Sequence, residues 1–119
     1  MLVFDSSIVI EMVKDNKEVI KKYKEEPLVT INLIYGEVYY YYIRWGLNLN
    51  EFNKINFKII DYNLEDIKNA MKLLNARKKE KINFSFIDAM IYTVAVNNGL
   101  NLVTKDTGFK GLPNVEFIN

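Results

Sequence analysis

Short apolar runs alternate along this chain with longer stretches in which apolar residues recur every three or four positions. Leu2-Val3-Phe4, Leu28 to Ile31, Phe57 to Ile60, Leu102-Val103 and Val115 to Phe117 are the short runs. Most carry no regular polar alternation, which predicts strands covered on both faces, as in a parallel sheet. Between them, Asp5-Ser6-Ser7 feeds a helix through Ile8 to Met12, and Asn16 or Asp15 caps a second helix ending near Tyr23. After Pro27 and the second strand, Asn32 is placed to cap a helix with Ile34, Val38, Tyr41 and Trp45 on its apolar side, ended by Gly46.

Asn48 or Asn50 begins a short helix. Asn63 caps a longer one, with Glu65 and Asp66 in its first turn and Ile67, Ala70, Met71 and Leu74 along one face. Ser85 opens a helix that is apolar nearly all round from Phe86 to Val96, so it belongs in the core. Asn98-Gly99 stops it, and Lys105 to Gly108 reads as a turn. The alternation predicts an α/β fold, a three-layer sandwich around a mainly parallel central sheet of four to five strands, in a single domain over residues 1–119. Such sheets bind ligands beyond the carboxyl ends of their strands.

Composition narrows the chemistry. The chain has neither histidine nor cysteine. That excludes Ser-His-Asp and Cys-His nucleophile systems, and zinc sites built on imidazole or thiolate. A net charge of +1 supplies no general attraction to nucleic acid, so polyanion binding needs a local patch or bound cations. The longest apolar stretches are cut by Glu37, Arg44 and Asp88, and Asp5 interrupts the N-terminal run. Neither a membrane span nor an export signal is read, and a cytoplasmic location is expected.

Four carboxylates stand at element ends or apolar margins: Asp5, Glu37, Asp88 and Asp106. Each has a plain local use. Asp5 caps the first helix unless Ser6 or Ser7 does so. Ser85 and Asp88 have the spacing of a capping box, and Asp106 suits a turn. Glu37 borders an apolar helix face, where a carboxylate is costly unless paired, for instance with Arg44, or metal-bound. If the four converge, their repulsion raises their pKa values unless a hard cation such as Mg²⁺ or Mn²⁺ neutralises them.

The motifs around these acids resemble the PIN-domain family, and most closely its small single-domain members, the VapC-type toxins. Val3-Phe4-Asp5-Ser6-Ser7-Ile8, Ile34-Tyr35-Gly36-Glu37-Val38, Phe86-Ile87-Asp88-Ala89-Met90-Ile91 and Val103-Thr104-Lys105-Asp106-Thr107-Gly108-Phe109 occur in family order over nearly the whole chain. The resemblance implies an Mg²⁺- or Mn²⁺-dependent endoribonuclease with Asp5, Glu37, Asp88 and Asp106 as its metal-binding and catalytic acids. Ser6 and Thr104 match supporting hydroxyl positions. It also implies an RNA substrate, a homodimer and a VapB-type antitoxin as partner. Where many relatives carry a further acid, this chain has Gly108.

Two other groups invite attention. Arg77 to Lys81 resembles a nucleic-acid patch, but its place at a helix C-terminus favours a role complementing the helix dipole. Tyr39 to Tyr42 covers all sides of one helical turn, so some rings enter the core and the others suggest an interface. Competing readings are a phospho-accepting receiver domain, for which Asp61 is the sole acceptor candidate, a non-catalytic PIN-like binding module, and a PIN nuclease of RNA processing or decay.

Overall fold

The computed structural model describes residues 1–119. The chain runs β1 (Leu2–Phe4), α1 (Ser6–Val13), α2 (Lys17–Tyr23), β2 (Leu28–Thr30), α3 (Asn32–Arg44), α4 (Leu49–Asn53), β3 (Phe57–Ile59), α5 (Leu64–Lys79), α6 (Phe86–Asn97), β4 (Asn101–Thr104) and β5 (Val115–Phe117). A single 3₁₀ turn, Thr107–Phe109, lies between the last two strands. The predicted α/β architecture with a parallel sheet flanked by helices is the one observed. Its sheet, however, is built as two ladders, β1-β4-β5 and β2-β3, and every pairing is parallel. Between β2 and β1 the Thr30 hydroxyl donates to the Phe4 carbonyl at 2.8 Å, so a side chain links the two ladders.

Parallel strands need helical crossovers, and these cover the apolar strands. Val3, Phe4, Leu102 and Val103 are wholly buried, while α6 contributes seven consecutive buried residues, Ala89 to Ala95. That continuity follows from its nearly all-apolar sequence. Burying each large side chain of this kind stabilises the fold by roughly 1.5–3 kcal/mol. The ends of α6 come out of the core at Phe86 and Val96.

Capping follows the sequence closely. Asn16, Asn48, Asn63 and Ser85 each accept a backbone N–H at a helix start, and Asn63-Asp66 and Ser85-Asp88 form complete capping boxes. The expected Asn32 cap is not formed. Asn32 is already inside α3, whose cap residue Ile31 has no side-chain bond. Its amide oxygen instead accepts from the Tyr62 hydroxyl at 2.9 Å.

Helix α3 also differs in the face it buries. Ile34, Val38 and Tyr42 point inward, following Ile31, whereas Trp45 is exposed. The four-tyrosine run is thereby divided. Tyr42 enters the core and packs edge-on against Phe52, as does Tyr39 from the outer side. Tyr40 stays exposed and Tyr41 half-buried. No helix is long and apolar enough to cross a membrane.

Candidate active site

Asp5 stands where β1 becomes α1, continuing the ladder through its N–H, which donates to the Val103 carbonyl at 3.1 Å. It is the cap of α1, and neither serine replaces it: the Ser6 N–H donates to its Oδ1 at 2.8 Å. Its Oδ2 accepts from the Thr104 hydroxyl at 2.7 Å and from the Ser7 hydroxyl at 3.2 Å. The cap and the candidate ligand are one carboxylate, held by three donors. Thr104 in turn accepts the Asp106 N–H at 3.0 Å, which ties the two acid-bearing segments together.

Asp106 caps the 3₁₀ turn, its Oδ1 accepting the Gly108 N–H at 2.9 Å. Asp88 uses Oδ2 to accept the Ser85 N–H at 2.8 Å, and the Ser85 hydroxyl accepts the Asp88 N–H at 3.0 Å. The capping box and the turn are therefore both present. Each spends one oxygen on the local backbone, which fixes the side chain and leaves the second oxygen without a protein donor. Glu37, on α3, forms no ion pair with Arg44.

Charge, more than contact, joins the four. Burial lifts the Asp5 carboxyl from 3.8 to about 6, opposed by the Thr104 hydroxyl and reinforced by the Asp88 charge. Burial also raises Glu37, restrained by the Ser6 hydroxyl and pushed further by Asp5, Asp88 and Asp106. Asp88 rises for the same first reason, with the Ser85 N–H restraining it and Asp106 adding like charge. Each acid thus feels at least one other across the end of the β1-β4 ladder. As the side chains stand, no three acids meet closely enough to enclose one ion. The donor set, carboxylate oxygens backed by hydroxyls and no nitrogen or sulfur, is chemically suited to Mg²⁺ or Mn²⁺.

Three residues take parts that the sequence did not indicate. The Ser7 hydroxyl bonds Asp5, while the Ser6 hydroxyl, at the position matched to the family, restrains the Glu37 carboxyl. Lys105 points away from the acids, pairing with Glu11 at 3.1 Å, while its N–H donates to Ser7 at 3.0 Å. Arg77 is buried, not a solvated cation: its guanidinium donates to the carbonyls of Gly108 and Lys110 and lies over Phe84. It anchors the turn that carries Asp106. Asp61 is exposed and is not among the charges acting on Asp5, which removes the acceptor a receiver domain would need. Ser6 and Glu37 also line a cleft of about 450 Å³ between α1 and α3.

Parallel ladders flanked by helices define an α/β class of protein, and here Asp5 and Asp106 follow the ends of β1 and β4. The PIN-domain family model matches residues 2–115, and the chain belongs to that family. No curated protein sequence matches it. Among solved structures, a chain of a toxin-antitoxin complex from Klebsiella pneumoniae is similar with a TM-score of 0.79 at 20% identity, covering 98% of this chain and 96% of that one. VapC20 of Mycobacterium tuberculosis, described as a sarcin-ricin loop cleaving toxin, gives a TM-score of 0.76 at 16% identity and full coverage of both chains, 100% each. A chain of VapBC2 from Rickettsia felis, bound to a promoter DNA fragment, gives 0.67 at 17% identity, with 99% and 97% coverage.

Proposed function

We propose that this chain is a divalent-metal-dependent endoribonuclease and the toxin of a toxin-antitoxin pair, acting as a single domain. The observation that carries the reading is the electrostatic coupling of Asp5, Glu37, Asp88 and Asp106 at one sheet edge in a PIN-family chain. These four would hold Mg²⁺ or Mn²⁺. A bound ion supplies a water of lowered pKa and neutralises the phosphate facing the acids.

The chain's own residues do the positioning. Ser6 N–H, Ser7 and Thr104 lock Asp5, and Thr104 fixes the Asp106 segment relative to it. Ser85 orients Asp88 from its own helix start. With no histidine available, the carboxylates are the nearest candidates for a proton acceptor in this site.

The similarity to toxin-antitoxin chains supports an antitoxin of the VapB type as partner. A homodimer is supported by the outer face of α3, where Tyr35, Tyr39 and Ile43 recur every fourth residue and are 41%, 37% and 55% exposed. Size-exclusion chromatography with light scattering tests that assembly, and a stable monomer at micromolar concentration counts against it. For the chemistry, purified protein is incubated with single-stranded RNA and Mg²⁺ or Mn²⁺, with and without EDTA. Cleavage that needs the cation and disappears in Asp88→Asn, with circular dichroism unchanged, is the expected result. Undiminished cleavage by Asp88→Asn sinks the site assignment.

A further inference from the structure

We propose that the cleft between α1 and α3 is a subsite for one unpaired nucleotide of the RNA, flanking the phosphate at the acids; this rests on the nuclease reading above. Its base lies on Tyr40 and Tyr41 and its phosphate meets Arg44. All three residues line the cleft together with Gly36 and Glu37. The volume of about 450 Å³ lies within the ~300–1,000 Å³ range of small-ligand sites.

Gly36 is the first argument. It sits inside α3, where glycine weakens a helix relative to alanine. No packing reason accounts for it, since a Cβ built there meets nothing within 4 Å and its backbone does not take a left-handed conformation. What a side chain at Gly36 would occupy is the cleft itself. The glycine keeps open the wall next to Glu37.

Arg44 is the second. It is exposed, forms no ion pair with any carboxylate, and is held over the Trp45 ring at 5.7 Å. It lies seven positions beyond Glu37, about 10.5 Å along the helix. A phosphate at Arg44 therefore escapes most of the repulsion of the acids. An apolar peptide filling the cleft would have no use for an unpaired guanidinium, whereas an anionic ligand with a flat ring does. Phenol rings stack any base, and stacking requires a base that is not paired.

The test measures binding of a fluorescein-labelled, mixed-sequence RNA hexamer by anisotropy with Mg²⁺, in the Asp88→Asn protein so that the probe stays intact. Adding Gly36→Leu is expected to weaken binding about tenfold or more while the melting temperature holds or rises. Adding Arg44→Ala is expected to lower the salt dependence of binding by about one phosphate contact. Unchanged affinity in Gly36→Leu, or no hexamer binding by the parent, overturns the subsite and leaves the cleft to a protein partner. Wild-type cleavage is scored separately: a chain that binds but does not cut fails the nuclease reading and keeps the subsite.

Discussion

Asp5 caps α1 with one oxygen and receives two hydroxyls with the other while only 4% exposed. Its carboxyl titrates near 6, not 3.8, so the folded state binds the proton more tightly than the unfolded chain does. The contribution of Asp5 to stability is therefore greatest at low pH and is lost as pH rises from about 3.8 to about 6, an effect on the order of 3 kcal/mol. In metal-free Asp5→Asn protein this fall should shrink to what Glu37 and Asp88 contribute, and the variant should be at least as stable as wild type at pH 7. Thermal melts from pH 4 to 8 measure both, and a variant less stable than wild type at pH 7 would count against the assignment. Gly108 carries a separate expectation. A Cβ there would overlap the Asn83 carbonyl, which is backbone and cannot swing aside. Gly108→Ala should cost about 1–3 kcal/mol in urea unfolding, and a denaturation midpoint equal to wild type would refute the overlap.

Element by element, most capping signals were dependable, Asn32 excepted, whereas individual long-range contacts were not legible. Asn63 and Ser85 cap as their spacing predicts, because a capping box is decided within four residues. Arg77 lies in the last turn of α5, where a structural role was expected, but its carbonyl partners were not legible because they lie more than thirty positions away, on the segment after Asp106. Trp45 follows the 3.6 period of α3 yet is exposed, for it is the C-cap residue beyond Arg44, and the inward stripe ends at Tyr42. Helix α5 depends on the Arg77 anchor to hold the Asp106 turn. Arg77→Met keeps most of the apolar volume but leaves two carbonyls without their donor, and should destabilise by about 2–4 kcal/mol. Equilibrium denaturation checks the size. A loss under 0.5 kcal/mol, within the ordinary range for surface changes, would mean that the guanidinium is not holding the turn.

Across the whole molecule, the order of strands and helices was legible because parallel strands announce themselves as apolar runs separated by capped helices. That the sheet divides into two ladders was not, since the junction depends on the Thr30 hydroxyl reaching the Phe4 carbonyl. The four acids were connected in the sequence only through motif order, and in the fold they are joined by like-charge influence without meeting around one point. Burial and like charge raise the carboxyls of Asp5, Glu37 and Asp88, which has a global consequence. Mutual repulsion and burial cost stability that a bound cation offsets, and a ligand that binds only the folded state at a hundred times its dissociation constant adds about 2.7 kcal/mol. Mg²⁺ or Mn²⁺ should therefore raise the melting temperature at pH 7, by several degrees for a domain of this size. The gain should shrink at pH 5, where Asp5 is largely protonated, and shrink again in Asp88→Asn. Calorimetric scans with millimolar cation or with EDTA decide it: coincident melts at pH 7 would mean that the acids repel one another without binding an ion at that concentration.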